Sequence, residues 1–221
     1  MTDLLDRASI HVFAVDHTLT RHSTGRRFAQ AGIAAGVFRL RDFWSMPWFY
    51  LRYRLGRLKL EDVTREIQAL RGLSHHDIEM VAARAWGGWI ADDLYPAARD
   101  HVAACRDRGH RVVLLSTSFE VILRPLARAL MVDETISSVL EFSGDYATGW
   151  IVGGPCYAEE KATRLAAYLD REGLSAADCA FYSDSFHDLA SFELVGTPVA
   201  VHPDAVLRRT AGRRGWPVLH W

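Results

Sequence analysis

The sequence predicts an α/β fold: a doubly wound parallel sheet with a helical cap inserted after its first strand. Three observations predict it. Short, β-branched apolar runs end in polar turns. Helical patterns alternate with these runs. Residues 21–94, between the first run and the rest, carry helical spacing and no strand-like alternation. The apolar content of 49% in 221 residues, with 26 basic and 27 acidic side chains, rules out disorder over most of the chain and suffices for a full core.

The first run, Ile10–Val15, ends in Asp16-His17-Thr18-Leu19-Thr20 and reads as a buried strand followed by a polar turn. The second, Val112–Leu115, ends in Ser116-Thr117-Ser118. The third, Ala180–Tyr182, ends in Ser183-Asp184-Ser185, and the fourth, Thr197–Val201, ends in His202-Pro203-Asp204. Tyr95–Arg108 reads as a helix before the second run. Glu159–Glu172 reads as another, with Ala162, Leu165, Ala166 and Leu169 at helical spacing. Strands alternating with helices imply a parallel sheet covered on both faces, with ligands binding beyond the carboxyl ends of the strands. All four predicted strand ends carry polar, reactive residues.

The sheet domain is therefore assigned to residues 1–20 and 95–221, and the helical cap to 21–94. Within the cap, Gly25, Gly32, Gly36, Pro47, Gly56, Gly72 and Gly87-Gly88 are candidate breaks. Leu60–Leu70 has helical spacing, and Ser74 suits the N-cap of the next helix. Ser137–Tyr157 reads as short strands and turns.

Charge and cysteine usage bound the partners. A formal net charge of −1 gives no electrostatic argument for nucleic acid, so no nucleic-acid partner is expected. Cys105, Cys156 and Cys179 are widely spaced, without CxxC or Cys/His metal spacing in the sequence, and read as buried thiols of a cytoplasmic protein. The opening MTDLLDRAS is too mixed for a signal peptide, and no apolar window is long enough to span a bilayer.

Asp16 and Thr18 at one strand end, Ser116 at another, Lys161 at the head of a helix, and Asp184 with Asp188 at a further strand end form a constellation. Taken singly, such residues are turn formers, helix caps and solvated side chains. In this order and on these strand ends, they resemble the haloacid dehalogenase superfamily, in its phosphoserine-phosphatase-like branch of small bacterial phosphatases. The motifs are Phe13-Ala14-Val15-Asp16-His17-Thr18-Leu19-Thr20, then Ser116, then Lys161 in Glu159–Leu165, then Ser183-Asp184-Ser185-Phe186-His187-Asp188-Leu189. The tail Val199–Asp204 and Arg214–Pro217 fits the same branch, and the insert corresponds to its helical cap.

The resemblance implies a phosphomonoester hydrolase that works through an aspartyl-phosphate with Mg²⁺, a hard cation suited to oxygen ligands. Asp16 is then the general acid and, later, the base. Mg²⁺ rests on the Asp16 backbone carbonyl and Asp184. Thr18, Ser116, Thr117 and Lys161 bind the phosphoryl group, and Asp188 orients Lys161 or a metal-bound water. The chain departs from the family at one decisive position: Ala14 stands where the nucleophilic Asp belongs. A methyl group cannot attack phosphorus or ligate Mg²⁺, so the chain is expected to be inactive as written. Two origins are open, a natural loss that leaves a phospholigand-binding or regulatory protein, or a deliberate change made to trap a ligand. Retention of every other motif position favours the second.

His17 occupies a position where Gly is frequent, and His187 neighbours Asp188; each is a candidate either for the metal side or for plain loop packing. The segment Phe38–Tyr53 interleaves aromatics with Arg39, Arg41 and Arg52, and Arg54 and Arg57 follow. It reads as the core of the cap helices with arginine stems along its edge, as an apolar roof over a small-molecule or lipid-like phosphomonoester, or as a face resting on a membrane surface. Phosphoserine is disfavoured as substrate. Arg21–Arg27 contains no acid to hold an amino group, and Glu66, with Arg65 beside it, falls near the place of the cap arginine. Arg26 and Arg27 are candidates to reach a second anionic group.

Overall fold

The computed structural model describes residues 6–39 and 67–221. The readings for 40–66, including most of the aromatic and arginine segment, Glu66 and the start of the Leu60–Leu70 helix, lie outside the described residues.

Six strands form one parallel sheet: β1 (Ile10–Phe13), β2 (Arg111–Phe119), β3 (Glu134–Ser138), β6 (Cys179–Ser183), β7 (Thr197–Val201) and β8 (Val218–Leu219). Their order is β3-β2-β1-β6-β7-β8. β1 is central, with Phe13 in register with Leu114 on one side and Tyr182 on the other. The chain therefore winds outward in both directions from β1. That reversal of strand order opens a crevice at the carboxyl ends, where an α/β sheet binds its ligands.

The β1 run is buried along its whole length because both faces are covered. Phe13 and Val15 pack with α3 (Pro96–Asp107) and α4 (Glu120–Leu130), through Val102, Cys105, Leu123 and Leu126. Ile10 and Val12 face the opposite way, onto α5 (Glu159–Arg171), α6 (Leu189–Leu194) and α7 (Ala205–Arg214), through Leu165, Leu169, Phe192 and Leu207. The doubly wound parallel architecture predicted from the sequence is the one observed.

A third apolar cluster is centred on the helices of the insert and reaches Ile122 of α4. It joins α1 (Thr24–Ala34) and α2 (His75–Ala85) through Phe28, Ala31, Phe38, Ile78 and Val81. Gly32 is required there, since a Cβ at that position would run into the Phe38 ring. Ser74 caps α2, accepting from the Asp77 N–H at 3.1 Å, as the sequence predicts. Gly87-Gly88 does not end the helix; the chain passes through it as a π turn over Trp86–Ile90 and continues in helix Ala91–Asp93.

The chain enters this helical layer at Thr20 and leaves it at Leu94, and these two residues form an antiparallel bridge. Of Ser137–Tyr157, β4 (Leu140–Ser143) and β5 (Tyr146–Ile151) form an antiparallel hairpin. Its apolar side belongs to the helical cluster through Leu140 and Ala147, and Ala147 exchanges backbone hydrogen bonds with Gly72 and Leu73. β3 and β8 are strands that the apolar runs did not signal. β3, reading Glu-Thr-Ile-Ser-Ser, is an edge strand and lacks an apolar run.

Candidate active site

The turn after β1 is built on one carbonyl. Val15 O accepts from the N–H groups of Thr18, Leu19 and Thr20 at 3.2, 2.9 and 3.1 Å. His17 takes φ 59°, a left-handed conformation that a β-carbon disfavours, which explains why Gly suits this position. Trp221 closes the turn from outside, its indole N–H donating to Thr18 O at 2.7 Å.

Ala14 is buried, and its N–H donates to Tyr182 O at 2.8 Å. Its backbone thus lies within the sheet's hydrogen bonding, and its side chain offers only a methyl group.

The Asp16 carboxylate is held against the start of α1. Oδ1 accepts from the Thr24 N–H at 2.8 Å and from Thr24 Oγ1 at 2.7 Å; Oδ2 accepts from Ser118 Oγ at 3.3 Å and Ser23 Oγ at 3.5 Å. Ser118 also ties this group to Ser116, since the Ser118 N–H donates to Ser116 Oγ at 3.2 Å. Ser116 does not end its strand: β2 continues to Phe119 through a register irregularity. Thr117 gives its carbonyl to Ser138 Oγ at 2.8 Å.

A second group gathers around Asp188, which a 3₁₀ turn over Phe186–Asp188 carries in from the end of β6. Lys161 Nζ donates to both Asp188 oxygens, at 2.8 and 3.0 Å, and Ser183 Oγ donates to Oδ2 at 2.6 Å. Both members of the ion pair are buried. Burial opposes the Lys161 charge, but the charge and hydrogen bonds of Asp188 outweigh it and hold the ammonium above its ordinary value. Asp184 exchanges hydrogen bonds with Thr18: its N–H donates to Thr18 Oγ1 at 3.1 Å, and Oγ1 donates to its carboxylate at 3.2 Å. Burial, and next the Asp188 charge, push the Asp184 carboxyl up to about 8, against the opposing pull of Lys161.

The structure thus brings Thr18, Lys161, Asp184 and Asp188 together, and links Asp16 to Ser116 through Ser118. Ala14 directly follows β1, which lies between the strands that carry the two groups. Sequence reasoning missed Thr24, Ser118, Ser183 and Trp221. Ser118 and Ser183 directly adjoin the motifs, and Thr24 follows a serine able to cap a helix, so a signal existed for those three. Trp221 is distant in sequence and gave none.

Two sequence candidates are engaged by protein partners. Arg27 forms a two-pronged ion pair with Asp93, Nε to Oδ2 at 2.6 Å and Nη2 to Oδ1 at 3.0 Å, while His22 Nδ1 lies 2.9 Å from Oδ1. This pair fastens α1 to the chain leaving the helical layer. His187 shares a hydrogen bond of 2.9 Å with the Tyr157 hydroxyl.

The available donors are hard oxygens: the Asp184 carboxylate and the Asp16 carbonyl. Two neighbouring acids, one buried and reluctant to ionise, suit a small divalent cation. The Ala14 side chain supplies no oxygen.

A strand-end cluster of carboxylates, lysine and hydroxyls over a doubly wound sheet has the charges and donors that phosphoryl transfer uses. The chain belongs to the haloacid dehalogenase-like hydrolases, whose sequence profile matches residues 12–193. It is 28% identical over 219 residues to phosphoserine phosphatase SerB1 of Mycobacterium tuberculosis, covering 97% of this chain and 71% of that one. It is also 28% identical over 219 residues to histidinol-phosphatase of Neisseria meningitidis serogroup C, covering 96% and 99%. A structure of unknown function from Bordetella pertussis Tohama I superposes with a TM-score of 0.85 at 26% identity, covering 95% and 97%. A substrate-bound phosphoserine phosphatase shares the fold, with a TM-score of 0.70 at 19% identity, covering 90% and 89%. Among the described residues no helix is long and apolar enough to cross a membrane.

Proposed function

We propose that this chain is a phosphomonoester hydrolase scaffold that binds its phosphorylated ligand and, for want of a carboxylate at position 14, does not turn it over. The observation that carries this reading is the intact Lys161–Asp188–Asp184–Thr18 group, with Lys161, Asp188 and Thr18 buried and Asp184 half-buried, beside a β1 end that bears only a methyl. A site with no remaining ligand has no evident reason to keep a lysine and an acid out of water, where desolvation opposes each charge.

In this reading Lys161, held by Asp188 and Ser183, presents positive charge to phosphoryl oxygens. Ser116 and neighbouring N–H groups donate to them. Mg²⁺, held by Asp184 and the Asp16 carbonyl, would supply further positive charge there. Asp16, fixed by Thr24 and Ser118 at the start of α1, is placed to exchange a proton with a leaving oxygen. With aspartate at 14 the same frame would form an aspartyl-phosphate.

The ligand is a small-molecule or lipid-like phosphomonoester in the cytoplasm. Two of the relatives are named a phosphoserine phosphatase and a histidinol-phosphatase, and the aromatic residues that follow Phe38 in the sequence favour a more apolar leaving group. Peripheral membrane contact through the cap belongs with a lipid-like ligand. A second reading, a regulatory protein that binds a phosphorylated ligand, rests on the same Ala14. Mg²⁺-dependent phosphate release by Ala14→Asp supports the hydrolase scaffold, and no release by that variant across a broad panel of phosphomonoesters favours the regulatory protein.

A further inference from the structure

The face of β1 that packs on α3 carries a cluster outside the phosphoryl site. His11 lies three residues before position 14 on β1, about 10 Å along an extended strand. Opposite it, α3 presents His101 and Cys105, one helical turn apart. One donor atom from each of the three residues lies within 4.8 Å of the others, and all three are buried.

Hydrogen bonding accounts for most of this cluster but not all of it. His11 Nε2 faces Ala8 O at 3.2 Å and His110 Nδ1 at 3.1 Å, so Nε2 carries the proton. His11 Nδ1 then accepts from the Tyr182 hydroxyl at 3.0 Å. The Tyr182 oxygen in turn accepts from His101 Nε2 at 3.3 Å. This assignment leaves His101 Nδ1 as a bare lone pair, wholly buried and with no hydrogen-bond partner. Buried polar atoms are nearly always paired. His11 also has the arrangement usual for a metal ligand, one nitrogen free of its proton and the other N–H on a backbone carbonyl.

We propose that His11, His101 and Cys105 form a binding site for a borderline-soft divalent cation, Zn²⁺ being the best match. Two imidazoles and a thiol select Zn²⁺ over Mg²⁺ or Ca²⁺, which prefer oxygen. Donors in a tetrahedral zinc site lie roughly 3.3–3.7 Å apart, so the cluster must contract by only about 1–1.5 Å. With His101 coordinating through Nδ1, its Nε2–H keeps the bond to the Tyr182 hydroxyl, which holds the ring from behind. On binding, the Zn–S bond replaces the Cys105 S–H bond and the proton leaves to solvent. The ion would pin the start of β1 to α3, a structural role separate from the phosphoryl site.

The test refolds the full chain in Co²⁺ with a large excess of Mg²⁺, so that oxygen-only sites are filled by Mg²⁺. The expected result is a thiolate-to-cobalt charge-transfer band that saturates at one ion per chain and is displaced by Zn²⁺. Cys105→Ser should abolish the band and weaken Zn²⁺ binding by more than about 100-fold, exceeding the 10–100-fold loss typical of outer-shell changes. Cys156→Ser should retain the band. Absence of the band in the unmodified chain at saturating Co²⁺, or its persistence in Cys105→Ser, overturns the proposal and leaves a hydrogen-bonded network only. Neither result depends on phosphatase activity, so this proposal and the proposed function fail separately.

Discussion

Replacing Asp184 by Asn should make the metal-free protein more stable in mild alkali, although it removes a proposed metal ligand. The Asp184 carboxyl is pushed up to about 8, first by burial and then by the charge of Asp188. An unfolded aspartate titrates near 4. The native state therefore holds this proton more tightly than the unfolded state does. The stability it contributes is complete below about pH 4, declines as pH rises, and is gone above about pH 8. At about 1.4 kcal/mol per pH unit, this interval is worth up to about 5 kcal/mol. In a chain of this size that is roughly 10–20 °C in Tm. Asn keeps an oxygen to accept from Thr18 and carries no charge to repel Asp188. The assay is thermal unfolding in chelator from pH 5 to 9 for both proteins. The difference between them should grow with pH, and added Mg²⁺ should close it by stabilising only the unmodified chain. Parallel profiles in chelator would refute the reasoning, since Asp184 would then ionise as readily in the fold as out of it.

Three other perturbations follow from the same geometry. Lys161→Met leaves Asp188 buried without its cation and should cost about 3–5 kcal/mol in denaturant unfolding; combining it with Asp188→Leu should recover much of the loss. Arg27→Ala, which cuts the two-pronged bond to Asp93, should lower stability by about 1–3 kcal/mol and speed proteolysis of the helical layer. The thiols are held in the protonated, unreactive form by burial, Cys105 and Cys179 up to about 12 and Cys156 up to about 11. A disulfide reagent at pH 8 should therefore label none of the three in the native protein and all of them once it is unfolded.

The sheet was legible wherever its strands were central. β1, β2, β6 and β7 are buried on both faces, and that burial requires the continuous apolar runs visible in the sequence. β3 and β8 escaped because edge strands need no such run. The hairpin was read only as short strands and turns, and no local pattern showed that Ala147 would pair with Gly72 and Leu73. At the site, the motif residues were legible as a set, because strand ends gather in an α/β sheet whatever lies between them. Residues that steady them from a distance were not. Trp221 reaches Thr18 across almost the entire chain, and the Arg27–Asp93 pair joins two segments whose proximity only the fold creates. The cluster of His11, His101 and Cys105 was hidden for the same reason, since two of its members share a helix and the third lies on a strand far away in sequence.

Phosphate release by Ala14→Asp compared with the unmodified chain tests the central claim most directly. The new carboxylate stands at the end of β1, between the Asp16 and Asp188 groups, and supplies the missing nucleophile together with a metal ligand. An aryl phosphate assayed with and without Mg²⁺ should give no turnover by the unmodified chain. Ala14→Asp should show Mg²⁺-dependent turnover several orders of magnitude above that background, since nucleophile and general base act as a unit. Equal activity in the two proteins would place the nucleophile elsewhere and contradict the account. No activity in either, across a broad panel of phosphomonoesters, would contradict the hydrolase reading and leave a phospholigand-binding protein.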